Sequence, residues 1–505
     1  MKHYILGIDQ GTTGSTAILI RTSDFTVVDK ENTEHPQYYP YPGWVEHDLE
    51  AIWASVQKSV QAIWKRHPEA FNQLQSIGVT NQRETVCAFN KKGEALSKAI
   101  VWQDRRTQDR CQEIKNAGDQ TWIQQKTGLV CDPYFSATKM QWLLKNNPAV
   151  QKANLQHQLC FGTVDTYLLY KLTQGTSYST EPTNASRTLL MNLETTDWDP
   201  KLLNYFHIER NLLPNIQSTF SSFGVTRGHT FLPDDVPITC LIGDQQSALF
   251  GQGLYREGGL KCTYGTGAFV LLNTGNKIRT SSHGLLTTVA YSYKGLTNYA
   301  IEGSTYIAGA AVQWLRDQLH FIEKSRDVET LASQVTNYEA LTYLQFFPFF
   351  TGLGAPYWRS EAKAALVGIT RDTNQSHIAF ATLEGIAQSI QDLFDSFYQE
   401  YPNLLKDIHV DGGACMNNLL LSIQSNISKI PIKRPAMIET TSFGAGLGSH
   451  LGYHQSDMES ISSLNPIDKI FQPTQNKKEQ DYFQHKRQLW QQQLKKIYLN
   501  EHQYK

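Results

Sequence analysis

The chain is written in short apolar runs, each of which ends in a polar cluster. The first two runs, residues 4–8 and 17–20, flank a segment holding Asp9, two glycines and four hydroxyl residues. Both runs have strand length and strand composition, so residues 4–20 predict a β-hairpin. The pattern returns at residues 258–272, where Thr263-Tyr264-Gly265-Thr266-Gly267 interrupts two more apolar runs. A third glycine turn, Asp411-Gly412-Gly413, closes the run 408–410 and opens a helical segment. Single predicted strands deliver three further clusters: residues 76–80 before Asn81-Gln82-Arg83-Glu84-Thr85, 99–102 before Gln103-Asp104-Arg105-Arg106, and 238–243 before Asp244-Gln245-Gln246.

A 3.6-residue period marks the helices between these strands. Ile52, Val56, Val60 and Ile63 form one stripe behind Asp48, a good N-cap. Ser136 is expected to cap a helix carrying Met140, Leu143 and Leu144, and residues 164–172 form another. Residues 306–319 predict a helix buried along Ile307, Ala310, Ala311, Trp314 and Leu315, with Gly303, Ala308 and Gly309 at its start. Residues 377–398 predict a core helix, 346–358 an aromatic loop used in packing, and 476–505 a solvated terminal helix. Residues 200–237, broken by prolines, predict an irregular surface excursion. The whole is an α/β chain. Its boundary is expected near residues 249–258, giving domains 1–250 and 251–505 with no flexible linker, as suits halves that hinge around a ligand.

Composition removes several function classes. A chain of 505 residues has room for two or three domains with full cores. Its net charge of −1 predicts neither a nucleic-acid nor an anionic-membrane partner. The seven cysteines are scattered without a C-x-x-C pair, which reads as buried reduced thiols. No long apolar segment precedes the first strand, and no run approaches the roughly 18 residues of a membrane span, so a soluble cytoplasmic protein without a signal peptide is expected.

A carboxylate at the end of a buried strand, beside a Gly/Thr turn, can hold hydrated Mg²⁺ while backbone N–H groups and hydroxyls meet phosphate oxygens. The first turn has no G-x-x-x-x-G-K-[ST], and a dinucleotide fingerprint would lead into a helix, not a second strand. One such hairpin alone is more often an ordinary turn. Its repetition in the second half, followed by a glycine turn at a helix start, suits one nucleotide clamped between two related domains. Ligands collect beyond strand ends in open α/β sheets. Arg83 beside Glu84 reads equally well as a surface ion pair of little energetic weight.

In order along the chain, Asp9-Gln10-Gly11-Thr12-Thr13, Pro42-Gly43-Trp44-Val45-Glu46-His47-Asp48, Asn81-Gln82-Arg83-Glu84-Thr85 and Asp132-Pro133-Tyr134-Phe135-Ser136 form a specific series. Thr183-Asn184-Ala185-Ser186-Arg187-Thr188, Gly243-Asp244-Gln245-Gln246, Thr263 to Gly267, residues 350–358 and Val410-Asp411-Gly412-Gly413 continue it. Over nearly its whole length the chain resembles the FGGY carbohydrate kinases of the actin–hexokinase superfamily, and among them the members that phosphorylate glycerol. The resemblance implies two ribonuclease-H-like (actin/hexokinase-type) domains with a nucleotide cleft between them. It implies ATP and Mg²⁺ as cofactors, glycerol and ATP as partners, sn-glycerol 3-phosphate as product, and a homodimer or homotetramer as a plausible assembly.

The same resemblance gives roles to matched residues. Arg83, Glu84, Tyr134, Asp244 and Gln245 would hydrogen-bond the glycerol hydroxyls, with Trp102 and Phe269 packed on its carbons and Asp244 as general base. Thr12, Thr13, Gly14 and Thr266 would contact the phosphates, and Asp9 would bind Mg²⁺ through water. Gly309, Gln313, Gly413 and Asn417 would hold the adenosine side. Charged and hydrogen-bonding side chains suit such an acceptor, because a small polyol offers almost no apolar area and must be recognised by paired polar groups.

Two alternatives stand beside this reading. A kinase for another polyol, such as a pentulose, would share the hairpins but not Arg83-Glu84 together with Asp132-Pro133-Tyr134. A nucleotide-switched, non-enzymatic superfamily member would hydrolyse ATP slowly without an acceptor, and for a chaperone would carry an appended peptide-binding domain, which the sequence lacks. Two departures from the family pattern also matter. The stretch Val225-Thr226-Arg227-Gly228-His229-Thr230-Phe231 is shorter and poorer in glycine than the loop of relatives inhibited by fructose 1,6-bisphosphate, so little or no inhibition by that effector is expected. Thr16 stands where the family's first hairpin usually carries Arg, leaving a hydroxyl in place of a phosphate-side cation. Thr16→Arg is therefore expected to lower the KM for ATP by up to roughly tenfold, the size of one charge-assisted contact. Steady-state kinetics at varied ATP test this, and an unchanged or higher KM would count against it.

Overall fold

The first hairpin is the spine of a six-stranded sheet in the computed structural model, which describes residues 2–359, 361–461 and 464–499. Tyr4–Gln10 pairs antiparallel with Gly14–Arg21, placing Asp9 opposite Thr16. On its other side Tyr4–Gln10 pairs parallel with Leu74–Asn81, which pairs parallel with Pro237–Gly243. Val27–Glu34 and Gly224–Val225 form the two edges. All eight residues of Leu74–Asn81 are buried, because a central strand with both faces covered has no wet side to alternate toward. Helix Leu49–Arg66, capped as expected by Asp48, packs on Leu6, Ile8, Ala17 and Leu19. Helix Thr440–His454 covers Ile5, Ile18 and Ile20 on the opposite face.

The second sheet repeats the plan. Leu260–Tyr264 pairs antiparallel with Ala268–Gly275 and parallel with Ile408–Asp411, so the second hairpin occupies the same place in its sheet as the first. The seven strands run in the order Leu286–Tyr293, Leu296–Thr305, Ala268–Gly275, Leu260–Tyr264, Ile408–Asp411, Ile432–Pro435, Ile467–Phe471. The 26-residue helix Gln375–Glu400 supplies Phe380, Leu383, Ile386, Ile390, Leu393, Phe394 and Phe397 to the core beside this sheet. No helix among the described residues is long and apolar enough to cross a membrane. All seven cysteines are buried and free.

Helix Thr440–His454 comes from the second half in sequence yet packs on the first sheet. It sits there backbone to backbone. A Cβ on Gly444 would lie 2.0 Å from the carbonyl oxygen of Ser247, in helix Asp244–Gly251. A Cβ on Gly78, in the central strand, would lie 1.9 Å from the carbonyl oxygen of Ala445. Only glycine permits such an approach.

Four local expectations are corrected. Gly303 does not precede a helix; it lies in strand Leu296–Thr305, and the helix spans Gly309–Asp317. That strand is buried on both faces from Tyr299 on, so it lacks the alternation that would have marked it. Residues 200–237 are not a surface excursion: Pro200 occupies the first turn of helix Pro200–Phe206 behind the N-cap Asp199, and Phe206, Leu212, Phe220 and Phe223 are buried. A proline at that position starts a helix instead of breaking one. Phe135, not Ser136, is the N-cap of helix Ser136–Asn146; the Ser136 hydroxyl instead donates to the Glu84 carbonyl at 2.9 Å. The terminal helix Lys477–Leu494 is docked, not solvated, with Phe483, Trp490 and Leu494 buried and Lys486 paired with Glu384 at 2.9 Å. Its charged composition hid that face; residues 500–505 of the expected helix lie outside the described residues.

Any side chain at residue 444 must displace the helix from its seat. Gly444→Ala is expected to cost about 2–3 kcal/mol of stability, read as a lower urea midpoint. An unchanged midpoint would show that the two helices do not meet this closely.

Candidate active site

Both hairpin turns are closed the same way. Gly11 N donates to Gly14 O at 2.8 Å, leaving Thr12 and Thr13 at the tip, and Gly265 N donates to Gly267 O at 2.9 Å around Thr266. The first tip is braced by His35 N donating to Thr13 O at 3.1 Å. The second is tied beneath helix Gly309–Asp317: Ala308 N and Ala310 N donate to Thr266 O at 2.8 and 3.1 Å, and Gly309 N to Gly265 O at 2.9 Å. Thr16 lies one strand in from the sheet edge, and its hydroxyl oxygen accepts from Asn32 Nδ2 at 2.9 Å.

Next to the second turn is a cavity of about 470 Å³ whose lining includes Thr266, Gly309, Gln313, Gly413 and Asn417. The four residues expected on the adenosine side therefore meet at one place, together with Thr266, expected at the phosphates. Gly412 has φ +82°, the left-handed region that favours glycine, and turns the chain from strand Ile408–Asp411 into this wall. The Asn417 side chain accepts from Leu420 N at 2.9 Å and so caps helix Asn418–Ser428.

A second cavity, about 870 Å³, is lined by Trp102, Tyr134, Tyr306, Phe350 and again Thr266. Trp102 packs edge-on against Tyr134 (5.7 Å between centroids) and Phe269 (6.1 Å), and its Nε1 donates to Thr12 Oγ1 at 3.0 Å. The aromatic wall thus touches the tip of the first hairpin.

Beside this wall the charged residues gather. Arg83 and Glu84 follow the central strand, and Glu84 is held at φ +63°, a strained value for a non-glycine residue. Arg83 Nε lies 3.1 Å from Asp244 Oδ1, at ion-pair distance though poorly aligned for a hydrogen bond. Its other nitrogens donate to Glu302 (2.5 and 3.2 Å) and Gln246 Oε1 (3.2 Å). Arg187 donates from Nε to Glu84 Oε1 at 2.6 Å and from Nη2 to Glu302 Oε1 at 2.7 Å. Lys261 Nζ donates to Gln245 Oε1, and to Thr263 Oγ1 at 2.6 Å.

Asp244 opens helix Asp244–Gly251 and accepts from Gln245 N at 2.7 Å. Desolvation in the cleft raises its pKa, against the pull of Arg83 and Lys261, while 27% of its side chain still meets solvent. Burial, then the neighbouring Asp244 and Glu439 carboxylates, push Asp9 well above the ordinary carboxylate range. Asp9 Oδ1 is sealed from solvent without a hydrogen-bond partner, as is Asp411 Oδ1. Burial alone would raise Glu302, but Arg187 and Arg83 outweigh it and hold the carboxyl below its usual value.

Three residues of this site went without a role in the sequence: Arg187, Lys261 and Glu302. Lys261 and Glu302 are lone charges inside apolar strands, which was the available signal. Arg187 belonged to a recognised stretch but carried no chemistry of its own there.

Two sheets of one plan, each presenting a Gly/Thr hairpin turn to a shared cleft, define the actin/hexokinase-type kinase architecture. The chain belongs to the FGGY family of carbohydrate kinases: the family's N-terminal domain matches residues 4–251 and its C-terminal domain residues 260–448. It is 45% identical to glycerol kinase of Bdellovibrio bacteriovorus over 93% of this chain and 95% of that one. It is 43% identical to glycerol kinase of Shewanella woodyi over 95% and 96%. Among solved structures it is similar to glycerol kinase of Plasmodium falciparum with ADP, at a TM-score of 0.88 and 34% identity over 98% of both chains. Gluconate kinase from Lactobacillus acidophilus, at 0.85 and 22% identity, shares the fold.

Because the folded-state pKa of Asp9 is raised, its ionised form subtracts stability progressively as pH climbs from the unfolded pKa to the folded one. Asp9→Asn should therefore raise the Tm of the ligand-free protein at neutral pH. The advantage should shrink as pH falls through the raised pKa. Thermal unfolding between about pH 5 and pH 8 reads this, and equal Tm values across the range would contradict it.

Proposed function

We infer that this chain transfers the γ-phosphoryl group of ATP to a terminal hydroxyl of glycerol, giving sn-glycerol 3-phosphate. The observation that carries it is the meeting, at Thr266, of a nucleotide-sized cavity with a second cavity walled by Trp102 and Tyr134, where Trp102 bonds Thr12 and the Arg187 guanidinium lies 5.6 Å over the Tyr134 ring, tying the wall to the cluster of Arg83, Glu84 and Asp244. Full-length likeness to glycerol kinases supports the choice of acceptor.

In this reading Arg83, Glu84, Tyr134 and Gln245 hold the three hydroxyls while Trp102 and Phe269 cover the carbons. Asp244 accepts the proton of the attacking hydroxyl late in a loose transfer, where positioning and charge stabilisation carry most of the rate. Its raised pKa makes it a better proton acceptor than an exposed aspartate, provided the pH keeps it ionised. Thr12, Thr13, Gly14, Thr16 and Thr266 line the phosphates; Gly309, Gln313, Gly413 and Asn417 line the adenosine.

The donor set fits Mg²⁺ held through water. Asp9 Oδ1 is an unpartnered buried oxygen, and Asp9 is destabilised by neighbouring carboxylates, a strain that a cation relieves. Among the described residues no three His, Cys, Asp or Glu form an all-protein metal cage, and Mg²⁺ does not need one when phosphates and waters complete its shell. When bound, the ion neutralises charge on the β- and γ-phosphates. The two halves, 1–250 and 251–505, would close around ATP and exclude water. The buried free thiols support a reducing, cytoplasmic setting.

ADP production from MgATP is the test, with glycerol, xylulose, ribulose, erythritol and no acceptor compared side by side. Turnover should require glycerol, and Asp244→Asn should lower kcat by about 10²–10⁴-fold. Preference for another polyol, or turnover without any acceptor, would overturn the assignment.

A further inference from the structure

Glu302 lies in the second sheet, on strand Leu296–Thr305, yet its carboxylate is engaged entirely on the acceptor side. Its backbone is pinned between two strands, opposite Leu271 on one side and Leu286 on the other. The residue has no exposed surface. Oε2 accepts from Arg83 Nη1 at 2.5 Å, and Oε1 accepts from Arg83 Nη2 at 3.2 Å and from Arg187 Nη2 at 2.7 Å. One carboxylate therefore grips two guanidiniums, and each of these faces a carboxylate of the acceptor site. Arg187 holds Glu84 at 2.6 Å, and Arg83 presents its Nε edge to Asp244 at 3.1 Å.

We propose that Glu302 is a positioning residue for the acceptor: by occupying the fork of Arg83 and anchoring Arg187, it fixes how Asp244 and Glu84 are presented. This deepens the functional reading above and rests on it. A guanidinium has two edges that can each grip a carboxylate with paired donors. With its terminal nitrogens held by Glu302 and Gln246, Arg83 cannot turn its fork onto Asp244. Asp244 therefore keeps an oxygen for the hydroxyl proton. Freed from Glu302, Arg83 is expected to swing onto Asp244 and occupy the base, and Arg187 to lose the tether that aims it at Glu84. The strained backbone of Glu84 depends on that tether and on the Ser136 hydroxyl.

Glu302→Gln tests this, because it keeps the shape and removes the charge. KM for the acceptor should rise at least about tenfold, the worth of one charge-assisted contact, while KM for ATP stays within about twofold. A purely structural role would lower Tm and kcat and leave the acceptor KM where it was. Arg187→Lys is the second variant, since a lysine keeps the charge but cannot bridge Glu302 and Glu84; it should show the same acceptor-selective rise. The acceptor used is whichever polyol the wild-type protein turns over best, so a failure of the glycerol assignment appears in the wild-type acceptor spectrum alone. An unchanged acceptor KM in folded Glu302→Gln or folded Arg187→Lys would overturn the proposal, as would a parallel rise in KM for ATP.

Discussion

Five ionisable side chains share a seam that is nearly dry, and they are tolerable there because their charges alternate. Across the seam the order is Glu84, Arg187, Glu302, Arg83, Asp244, with every neighbouring pair within 3.2 Å. A buried ion pair seldom adds stability over a well-packed apolar pair, since desolvation consumes most of the Coulomb gain. Such a chain is therefore better explained by what it presents than by what it stabilises. It fixes two carboxylates and a guanidinium edge relative to one another, beside the aromatic wall.

Beside the seam, two helices meet backbone to backbone. Helices Asp244–Gly251 and Thr440–His454 touch through glycine, and the first residue of each lies at the cleft: Asp244 as the proposed base, Thr440 donating its hydroxyl to Asp411 Oδ2. Asp411 in turn ends the strand that leads into the glycine wall of the cavity proposed for the nucleotide. One contact thus adjoins both the proposed acceptor side and the proposed nucleotide side. A shift here would move both.

The hairpins, the capped first helix and the long core helix were legible because their signals are local: run length, a cap, a 3.6-residue stripe. The glycine and threonine turns were legible for the same reason. Strand Leu296–Thr305 was not, since burial on both faces removes the period that marks a strand. The docked face of helix Lys477–Leu494 was hidden because its buried charges, Lys486 and Arg487, find partners far away in sequence, in Glu384, Asp392 and Asp395. Glu302 escaped for both reasons at once: an unmarked strand, and partners 219 and 115 residues distant. A lone acid in an apolar run carries the hint that something offsets its burial, but sequence does not say what.

The remaining physical problem of such a site is water, which is smaller than any polyol and present everywhere. Charges alone cannot reject it, because a water molecule satisfies any single hydrogen-bond donor or acceptor as well as a hydroxyl does. The aromatic wall of Trp102, Tyr134 and Phe269 changes that balance. Its rings cover the carbons of an acceptor, which a water lacks, so in the proposed reading the full set of contacts is made only when three hydroxyls arrive together on one carbon chain. Trp102 also bonds Thr12 at the tip of the phosphate hairpin. In the proposed reading, the wall that seats the acceptor and the turn that meets the phosphates are joined through one indole. A water in the pocket would leave the ring faces uncovered by carbon and would not be held by enough polar contacts to align it as a nucleophile.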